Sequence, residues 1–589
     1  MNSTGLRSAA GSAERAALAA LLVLSLGLLL AWSVVVPVFE APDEPHHWQY
    51  ARYLHDHGRL PLFGPEFVEA NSPPLYYLLV APLASVSELP PHHAWVDAEG
   101  RVRLGIPPRF YLRRPGDGGR YRPIRAARWA TCLISVGAVL FTFLAAREAT
   151  GRAGTGLLAG GIVAFLPQFS FRGMNVSNDA LVATAGAACT CLVVRLVRRG
   201  FSWPLGLATG VALAAAFLSK INAVVLALTV AAALASGDGP WPTRARRLAG
   251  VLGVSVLLAA PWALRNVVLY GDPFASRAML TAVAPLVDPK PLGSPYFREV
   301  FPDALGRSFV GMFGWLNVPL PEWAYRAFLA LGVLAALGVL SRGWRRAAER
   351  RLLCVLATIP ALALGVVIHI NLTFSQPQGR YLFPALAAIA VLAALGLEAL
   401  PGWSRGLTAV LLAAMAALNV GALLWVVRPA YRMGAEGRTT GSGGPLQGFA
   451  HSGLARAAPG SYRTTSHDPQ VLFPADLWAG GDQALHLELV GQCAPAVVEG
   501  AVYFGIDGQF LAEERRLGFA WRADGAVAQV AVPVSAHPRW KGRVTLIRVD
   551  PFDGESAVRC LGSTVSLAGA WLGADPHQER PPRGSQRNR

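Results

Sequence analysis

Apolar residues run along the chain in blocks of about 20, the length that crosses a bilayer's hydrocarbon core as a helix. The first block covers residues 16–38. Others follow near 126–146, 154–170, 179–196, 204–219, 221–236, 248–264, 323–341, 352–371, 381–399 and 406–427. Hydropathy therefore predicts about eleven transmembrane helices within residues 16–427. The first block is too long for the apolar stretch of a secretory leader and lacks a small-residue cleavage site, so it is read as a retained anchor. Residues 428–470 are rich in Gly, Ser, Thr and Pro, the composition of a linker. From residue 471 the pattern shortens to alternating runs at 485–490, 501–506, 516–523, 527–534, 543–549 and 565–572, which predict strands. Asp524-Gly525, between two of these runs, is a hairpin signal. The expected architecture is a polytopic α-helical membrane protein with a C-terminal β-sandwich-like domain over 471–575. A polar, basic tail over 576–589 is expected to be disordered.

Composition agrees with that pattern. The 589 residues are 53% hydrophobic and only 15% charged, which excludes an ordinary soluble enzyme and a disordered chain. The net charge of +17 does not point to nucleic acid, because most Arg residues sit in short loops between apolar blocks. Arg147 and Arg152, Arg195 to Arg199, Arg244 to Arg247, Arg342 to Arg351 and Arg405 fall on one side if residues 1–15 are cytoplasmic, as the positive-inside bias requires. The C-terminal domain is then extracytoplasmic, and residues 39–125 form a large outer loop. Of six cysteines, four lie in or beside apolar spans. Cys493 and Cys560 lie in the outer domain, where a disulfide can form, although spacing alone does not pair them.

Candidate chemistry gathers in that outer loop. Glu40, Asp43 and Glu44 follow the first span directly, with Pro42 and Pro45 stiffening the turn. A helix from Asp43 to Gly58 would set His46, Tyr50, Tyr53 and His57 on one side, with His47 completing a His pair. Asp43 could serve merely as an N-cap and Glu44 as a first-turn acid. Capping does not account for three carboxylates at a membrane surface, where partial desolvation would raise a carboxyl towards the pKa of a working base. Six of the 12 histidines fall between His46 and His93, without the spacing of a helical metal motif. Asn71-Ser72-Pro73-Pro74-Leu75-Tyr76-Tyr77 opens an apolar run too short to span, hence an interfacial or re-entrant helix. Polar groups recur at the outer ends of other spans: Arg172 with Asn178 and Asp179, Lys220, Arg265, and Gln378-Gly379-Arg380-Tyr381. Singly, each cation would be a snorkelling side chain. Together on one face, they suit a phosphate-bearing lipid.

These segments resemble the GT-C superfamily of integral-membrane glycosyltransferases. The residues that carry the resemblance are Asp43, Glu44, Tyr50 and Ala51; Pro-Pro-Leu-Tyr-Tyr at 73–77; Pro-Trp-x-x-Arg-Asn at 261–266 with Tyr-Gly-Asp-Pro; and Gln-Gly-Arg-Tyr-x-x-Pro at 378–384. They are most similar to an uncharacterised bacterial family near the protein mannosyltransferases and aminoarabinose transferases, over roughly residues 16–427. The resemblance implies transfer of a sugar from a polyprenyl-phosphate donor to a glycan, lipid or protein acceptor at the cell envelope. It implies Asp43 as base with Glu44 beside it, and the convergent cations Arg380, Arg265, Lys220 and Arg172 are then the expected groups on the donor phosphate. Glu40, His46, His47, Tyr50, Asn71, Tyr76, Asn178, Asp179, Gln378 and Tyr381 are the expected sugar and acceptor contacts. Asn71 and Ser72 stand where aminoarabinose transferases carry an acid that contributes to a metal site, so a divalent cofactor stays open. A lipid or glycan transporter and a non-catalytic envelope scaffold are the rival readings. Transporters place ionisable groups near the bilayer midplane, whereas these lie at span ends.

Overall fold

The computed structural model describes residues 3–63, 67, 69–85, 95–96, 102–103, 121–282, 289–314, 316, 318–374, 376–431, 450–452, 454–458, 461–464, 469–479, 483–506 and 513–574. The chain divides into two compact units. The order begins α1 (Ser3–Val35), α2 (Glu44–His57), α3 (Leu75–Val80), β1 (Trp95–Val96), β2 (Val102–Arg103), α4 (Arg122–Thr150), α5 (Ala153–Ala164), α6 (Pro167–Gly173) and α7 (Asp179–Arg199). It continues with α8 (Trp203–Ser219), α9 (Val225–Ala235), α10 (Trp241–Tyr270), α11 (Ser276–Ala282), α12 (Phe301–Val310), β3 (Met312–Phe313), β4 (Val318–Pro319), α13 (Glu322–Arg345), α14 (Ala347–Asn371), α15 (Leu386–Leu397), α16 (Arg405–Gly421) and α17 (Arg428–Tyr431).

All of these helices, with β3 and β4, lie in the first unit. Among the described residues, eight helices are long and apolar enough to cross a membrane. A ninth span arises if α5 and α6, bent by 65°, are taken together. The bend follows from Pro167, which opens α6 and has no N–H to continue the α5 ladder. The shorter apolar helices Trp203–Ser219 and Ile221–Ala235 account for the two remaining predicted blocks. Each of the eleven apolar blocks is thus helical, and the protein is a multi-pass membrane protein. Small residues let these helices pack closely. A Cβ on Gly338 of α13 would overlap the Gly396 carbonyl of α15, and one on Gly396 the Ala335 carbonyl, so the backbones are in direct contact there.

The outer-loop helices form much as the sequence predicts. Helix α2 ends at Gly58, whose φ of 62° supplies the left-handed C-cap. Its inward face differs from the expected one. Glu44, His47, Trp48, Tyr50, Ala51 and Leu54 are buried, whereas His46 and Tyr53 are half-buried and His57 is exposed. Helix α3 is a single short turn-and-a-half with Leu78 and Leu79 exposed, consistent with an interfacial position.

The second unit is sheet-rich. It comprises β5 (Ala450–Ser452), β6 (Leu454–Ala458), β7 (Ser461–Thr464), β8 (Gln470–Trp478), β9 (Gln483–Ile506), β10 (Arg516–Val532), β11 (Arg543–Asp550), a short helix α18 (Gly554–Arg559) and β12 (Thr564–Ala574), with β1 and β2 from the outer loop. These strands make one ten-stranded sheet in the order β1-β2-β12-β9-β11-β8-β5, with β10 on β9, β7 on β12 and β6 on β7. Strand β9 serves both halves: Gln483–Gln492 pairs with β12, and Ala501–Ile506 with β11. Strand β10 follows β9 through both. Leu485, Leu487, Val502, Phe504, Ile547 and Leu567 belong to its apolar core, and the unit is one continuous sheet where two packed sheets were expected. Cys493 and Cys560 are joined.

Two further expectations are corrected here. Asp524-Gly525 is not a hairpin turn; β10 runs through it with register shifts on either side, so the pair marks a bulge where the strand bends with β9. The linker expected over 428–470 is interrupted, because Ala450–Ser452, Leu454–Ala458 and Ser461–Thr464 pair into the sheet. The expected tail over 576–589 lies outside the described residues. Trp521 packs into this core, whereas the buried Tyr503 lies under the Arg548 guanidinium and the buried Trp571 stacks on His486.

Candidate functional site

The site begins at the C-terminus of α1. Arg128, in the second turn of α4, is fully buried and donates to the carbonyls of Ser33 (3.1 Å), Val36 (2.7 Å) and Pro37 (2.9 Å). The same guanidinium pairs with Glu44 through two bonds, Nε to Oε1 (2.7 Å) and Nη2 to Oε2 (2.6 Å). Glu44 also accepts from the backbone N–H of Phe39 (2.7 Å) and of Val176 (3.1 Å). Both its oxygens are therefore taken. This corrects the expectation of Glu44 as a working acid: it is the central knot of a buried bidentate clamp, which satisfies the carbonyls that the end of α1 leaves without helical partners.

That clamp holds an unusual turn. Phe39 and Asp43 both have positive φ, 69° and 64°. A non-glycine residue in that region is strained and persists only where its surroundings over-determine it. Arg172 completes the constraint by donating Nη1 to the Pro42 carbonyl (3.0 Å). Asp43 occupies the N-cap position of α2, yet its side chain makes no capping bond. The carboxylate turns instead to Arg380, with which it forms an ion pair.

Arg380 belongs to a larger charge cluster. Asp179, the first residue of α7, is fully buried. It accepts from Arg172 Nε (3.0 Å) and Nη2 (2.6 Å) and from Lys220 Nζ, and Arg380 Nη1 lies 3.8 Å away. Three expected cations thus converge on two carboxylates. The sequence brings them there by separate devices: the bend at Pro167 delivers Arg172, the break after α8 delivers Lys220, and the 3₁₀ turn Gly379–Ala385 before α15 delivers Arg380. Lys220 and Arg380 both lie over the Tyr381 ring, at 5.3 and 5.4 Å from its centroid. Asn222 donates to the Tyr381 carbonyl (3.0 Å).

Arg265 is placed differently. It donates to the carbonyls of Leu60 (3.3 Å) and Pro61 (2.7 Å), so it tethers the chain beyond α2 to the end of α10. Tyr270 reinforces the tether by accepting from the Phe63 N–H (2.9 Å). Among the expected sugar and acceptor contacts, Tyr50 stacks on Tyr77 at 3.7 Å between centroids. The Tyr76 hydroxyl accepts from the Ser177 N–H (3.0 Å) and lies 2.7 Å from the Thr131 hydroxyl. Glu40 and Asn178 are buried, Asn71 is half-buried, and Gln378 donates to Gln376 (2.6 Å). A pocket beside the cluster is lined by Pro42, Gln168, Arg172, Ser308, Gln378 and Arg380.

Electrostatics overturn one expectation. Burial pushes the Asp43 carboxyl up, but the neighbouring Arg380 and Arg172 outweigh it and hold the group well below the usual carboxylate range. The raised pKa inferred from desolvation alone is therefore wrong for this site. His47 is buried, and that burial pushes its imidazole down despite the carboxylates of Glu69 and Asp43. Its Nδ1 is 2.7 Å from the Tyr77 hydroxyl and 3.9 Å from Glu69 Oε2. Asp43, His47 and Glu69 each offer one ligand atom within 4.8 Å of the others. Two carboxylate oxygens and an imidazole nitrogen fit a divalent ion such as zinc or manganese. Glu69 thus supplies a carboxylate close to where Asn71 and Ser72 had left none.

Two residues escaped the sequence reading. Arg128 is the innermost of three arginines, Arg122, Arg125 and Arg128, that open α4, and the sequence does not mark it apart from the other two as the buried one. Glu69 lies just ahead of the Pro-Pro segment, and only the packing of that segment against α2 brings it to His47.

A model of the dolichyl-phosphate-mannose-protein mannosyltransferase family matches residues 67–237. That stretch holds Glu69, Asn71, Tyr76, Arg128, Arg172, Asp179 and Lys220 and begins beyond Asp43. The matched family is one that the sequence motifs resemble. No curated protein matches the chain. Similar solved structures include ArnT from Cupriavidus metallidurans bound to undecaprenyl phosphate, at 16% identity and a TM-score of 0.41, covering 68% of this chain and 64% of that one. The archaeal oligosaccharyltransferase AglB from Archaeoglobus fulgidus, in complex with an inhibitory peptide and a dolichol-phosphate, is 16% identical with a TM-score of 0.40, covering 70% and 55%. Arabinosyltransferase EmbB from Mycobacterium smegmatis is 12% identical with a TM-score of 0.38, covering 94% and 64%. The chain spans less than two thirds of the length of each of these proteins.

Proposed function

We propose that the protein is a membrane glycosyltransferase that moves a sugar from a polyprenyl-phosphate donor to an acceptor hydroxyl outside the cytoplasm. The observation that carries this reading is Asp43: a carboxylate that caps nothing, held in a strained turn by two buried arginines, at the edge of a cluster of three cations. The match to a family named for a dolichyl-phosphate-mannose donor supports the donor class.

The reaction is a single displacement at the anomeric carbon. The acceptor oxygen attacks as its proton passes to Asp43, the bond from the anomeric carbon to the phosphate oxygen breaks, and the configuration inverts through an oxocarbenium-like transition state. Arg380 is the lead stabiliser of the charge that grows on the departing lipid phosphate. Lys220 and Arg172 act behind it by way of Asp179, and Arg265 holds the outer loop. A divalent ion held by Asp43, His47 and Glu69 would add positive charge beside the acceptor hydroxyl. The outer side of the membrane follows from the charge bias of the opposite loops.

The test uses the purified protein in lipid with a panel of radiolabelled polyprenyl-phosphate sugars. Wild type is expected to consume one donor, by transfer or slow hydrolysis, and Asp43→Asn to lose that turnover with its thermal unfolding unchanged. Retained turnover in Asp43→Asn would remove Asp43 from the role of base. Failure of every donor to bind or react would move the weight to transport or scaffolding.

A further inference from the structure

We propose that Arg380 is a shared guanidinium for which the phosphate of a polyprenyl-phosphate lipid and the carboxylate of Asp43 compete, so that donor binding releases Asp43. The inference rests on reading the site as one for such a lipid, and it adds how occupancy at one end is felt at the other.

The cations of the cluster are not equivalent. Arg172 gives Nε and Nη2 to Asp179 and Nη1 to the Pro42 carbonyl, and Lys220 gives its ammonium to Asp179. Arg380 keeps a donor in reserve. Its Nη1 holds Asp43, while its Nε is buried and has no hydrogen-bond partner among the described residues. A buried guanidinium N–H without an acceptor is costly and marks a place where an acceptor belongs. Arg380 also lines the pocket formed with Pro42, Gln168, Arg172, Ser308 and Gln378. Of the two arginines at this pocket, Arg172 has its donors committed, and Arg380 is the one with an N–H left for an oxyanion.

An oxyanion there would sit one guanidinium away from a second anion, Asp43. Asp179 is already saturated by Lys220 and Arg172, so Arg380 is the cation that the two must divide. The Asp43 charge must therefore weaken phosphate binding, and bound phosphate must weaken the Asp43–Arg380 pair by the same factor, because linkage between two sites is reciprocal. The backbone at this point stays put: the Gly379 N–H donates to Ser308 Oγ (2.8 Å), and that hydroxyl donates in turn to the Ala304 carbonyl of α12 (2.6 Å). A Cβ at Gly379 would overlap the backbone of Phe309, so the turn is seated directly on α12. The exchange is then a movement of one side chain. It leaves Asp43 paired and unreactive without donor and frees it once the donor phosphate has arrived.

The experiment measures equilibrium binding of undecaprenyl phosphate, which carries no sugar, to the full-length protein in nanodiscs. Wild type, Asp43→Asn, Arg380→Gln and the double variant are compared, with neutral polyprenol as control ligand. Asp43→Asn is expected to bind the phosphate about tenfold more tightly, roughly 1.4 kcal/mol. The gain should vanish in the Arg380→Gln background and be absent for polyprenol. Asparagine tolerates positive φ, so the turn should survive; Asp43→Ser serves as a second probe if Asp43→Asn does not fold. Unchanged or weaker phosphate binding by the Asp43 variants, a gain that persists without Arg380, or an equal gain for polyprenol would overturn the proposal. Turnover separates this outcome from the identity of the base. Lost turnover with unchanged affinity would sink the coupling alone, and tighter binding with retained turnover would sink Asp43 as base alone.

Discussion

Glu44 and Asp43 are neighbours with opposite fates, and the difference is one of partners. Glu44 lies wholly inside the Arg128 clamp, where two arginine N–H and two backbone N–H groups reach its oxygens. Removing one member of such a pair leaves a buried charge uncompensated, at a cost of about 3–5 kcal/mol. Glu44→Gln and Arg128→Leu should therefore lower the thermal unfolding temperature clearly and lose activity with it, whereas Asp43→Asn should lose activity alone. Thermal unfolding of the three variants in one lipid system checks this contrast. Asp43 itself should stay ionised across the neutral and mildly acidic range. Replacing Arg380 with Gln removes the strongest influence holding its carboxyl down and lets burial dominate. Donor turnover by Arg380→Gln should then show an acidic limb at a higher pH than wild type, read from a pH–rate profile. His47 works in the other sense. Burial lowers its folded pKa below the unfolded value of about 6.5, so its neutral form costs nothing above that pH and stability is lost as pH falls below it. His47→Gln should flatten the fall in unfolding temperature between about pH 7 and pH 5.

At the scale of elements, the site is built from helix ends. The N-termini of α4 and α7, the bend before α6, the break after α8 and the turn before α15 deliver Arg128, Asp179, Arg172, Lys220 and Arg380 in that order, around the carbonyls at the C-terminus of α1. Their convergence depends on how closely the helices pack. A Cβ at Gly186 of α7 would overlap the Pro384 carbonyl in the turn that carries Arg380. Gly186→Val should therefore displace that turn and weaken donor binding without touching any charged residue. A crossing-point variant far from the turn, Gly396→Val, should lower stability by disturbing α13 against α15. Donor affinity and unfolding temperature measured side by side distinguish the two. Hydropathy found each of these helices, because length and apolarity are local properties of the chain. It did not find the bend at α5–α6 as a means of aiming Arg172, since Pro167 reports a break and not its direction.

Across the whole molecule, two units with different physics share one chain. The helical unit is held by packing of small residues and buried ion pairs, the sheet unit by an apolar core and the Cys493–Cys560 bridge across 67 residues. Closing a loop of that size typically stabilises by about 2–5 kcal/mol. Cys493→Ser, or reductant, should lower the unfolding temperature of the sheet unit and leave donor turnover by the helical unit in place, as calorimetry and the donor assay would show. By itself the sequence determined the multi-pass helical character, the sheet-rich C-terminus, the start and stop of α2, and the residue types that gather around Asp43. These are set by hydropathy, period and turn chemistry, which act over a few residues. Only the tertiary structure decided that Asp43 faces Arg380 while Glu44 is locked to Arg128, that Arg265 tethers a loop, that Glu69 reaches His47, and that Asp524-Gly525 bends a strand. Each of those outcomes depends on a partner tens to hundreds of residues away, and a side chain's pKa and role follow from the partner it finally meets.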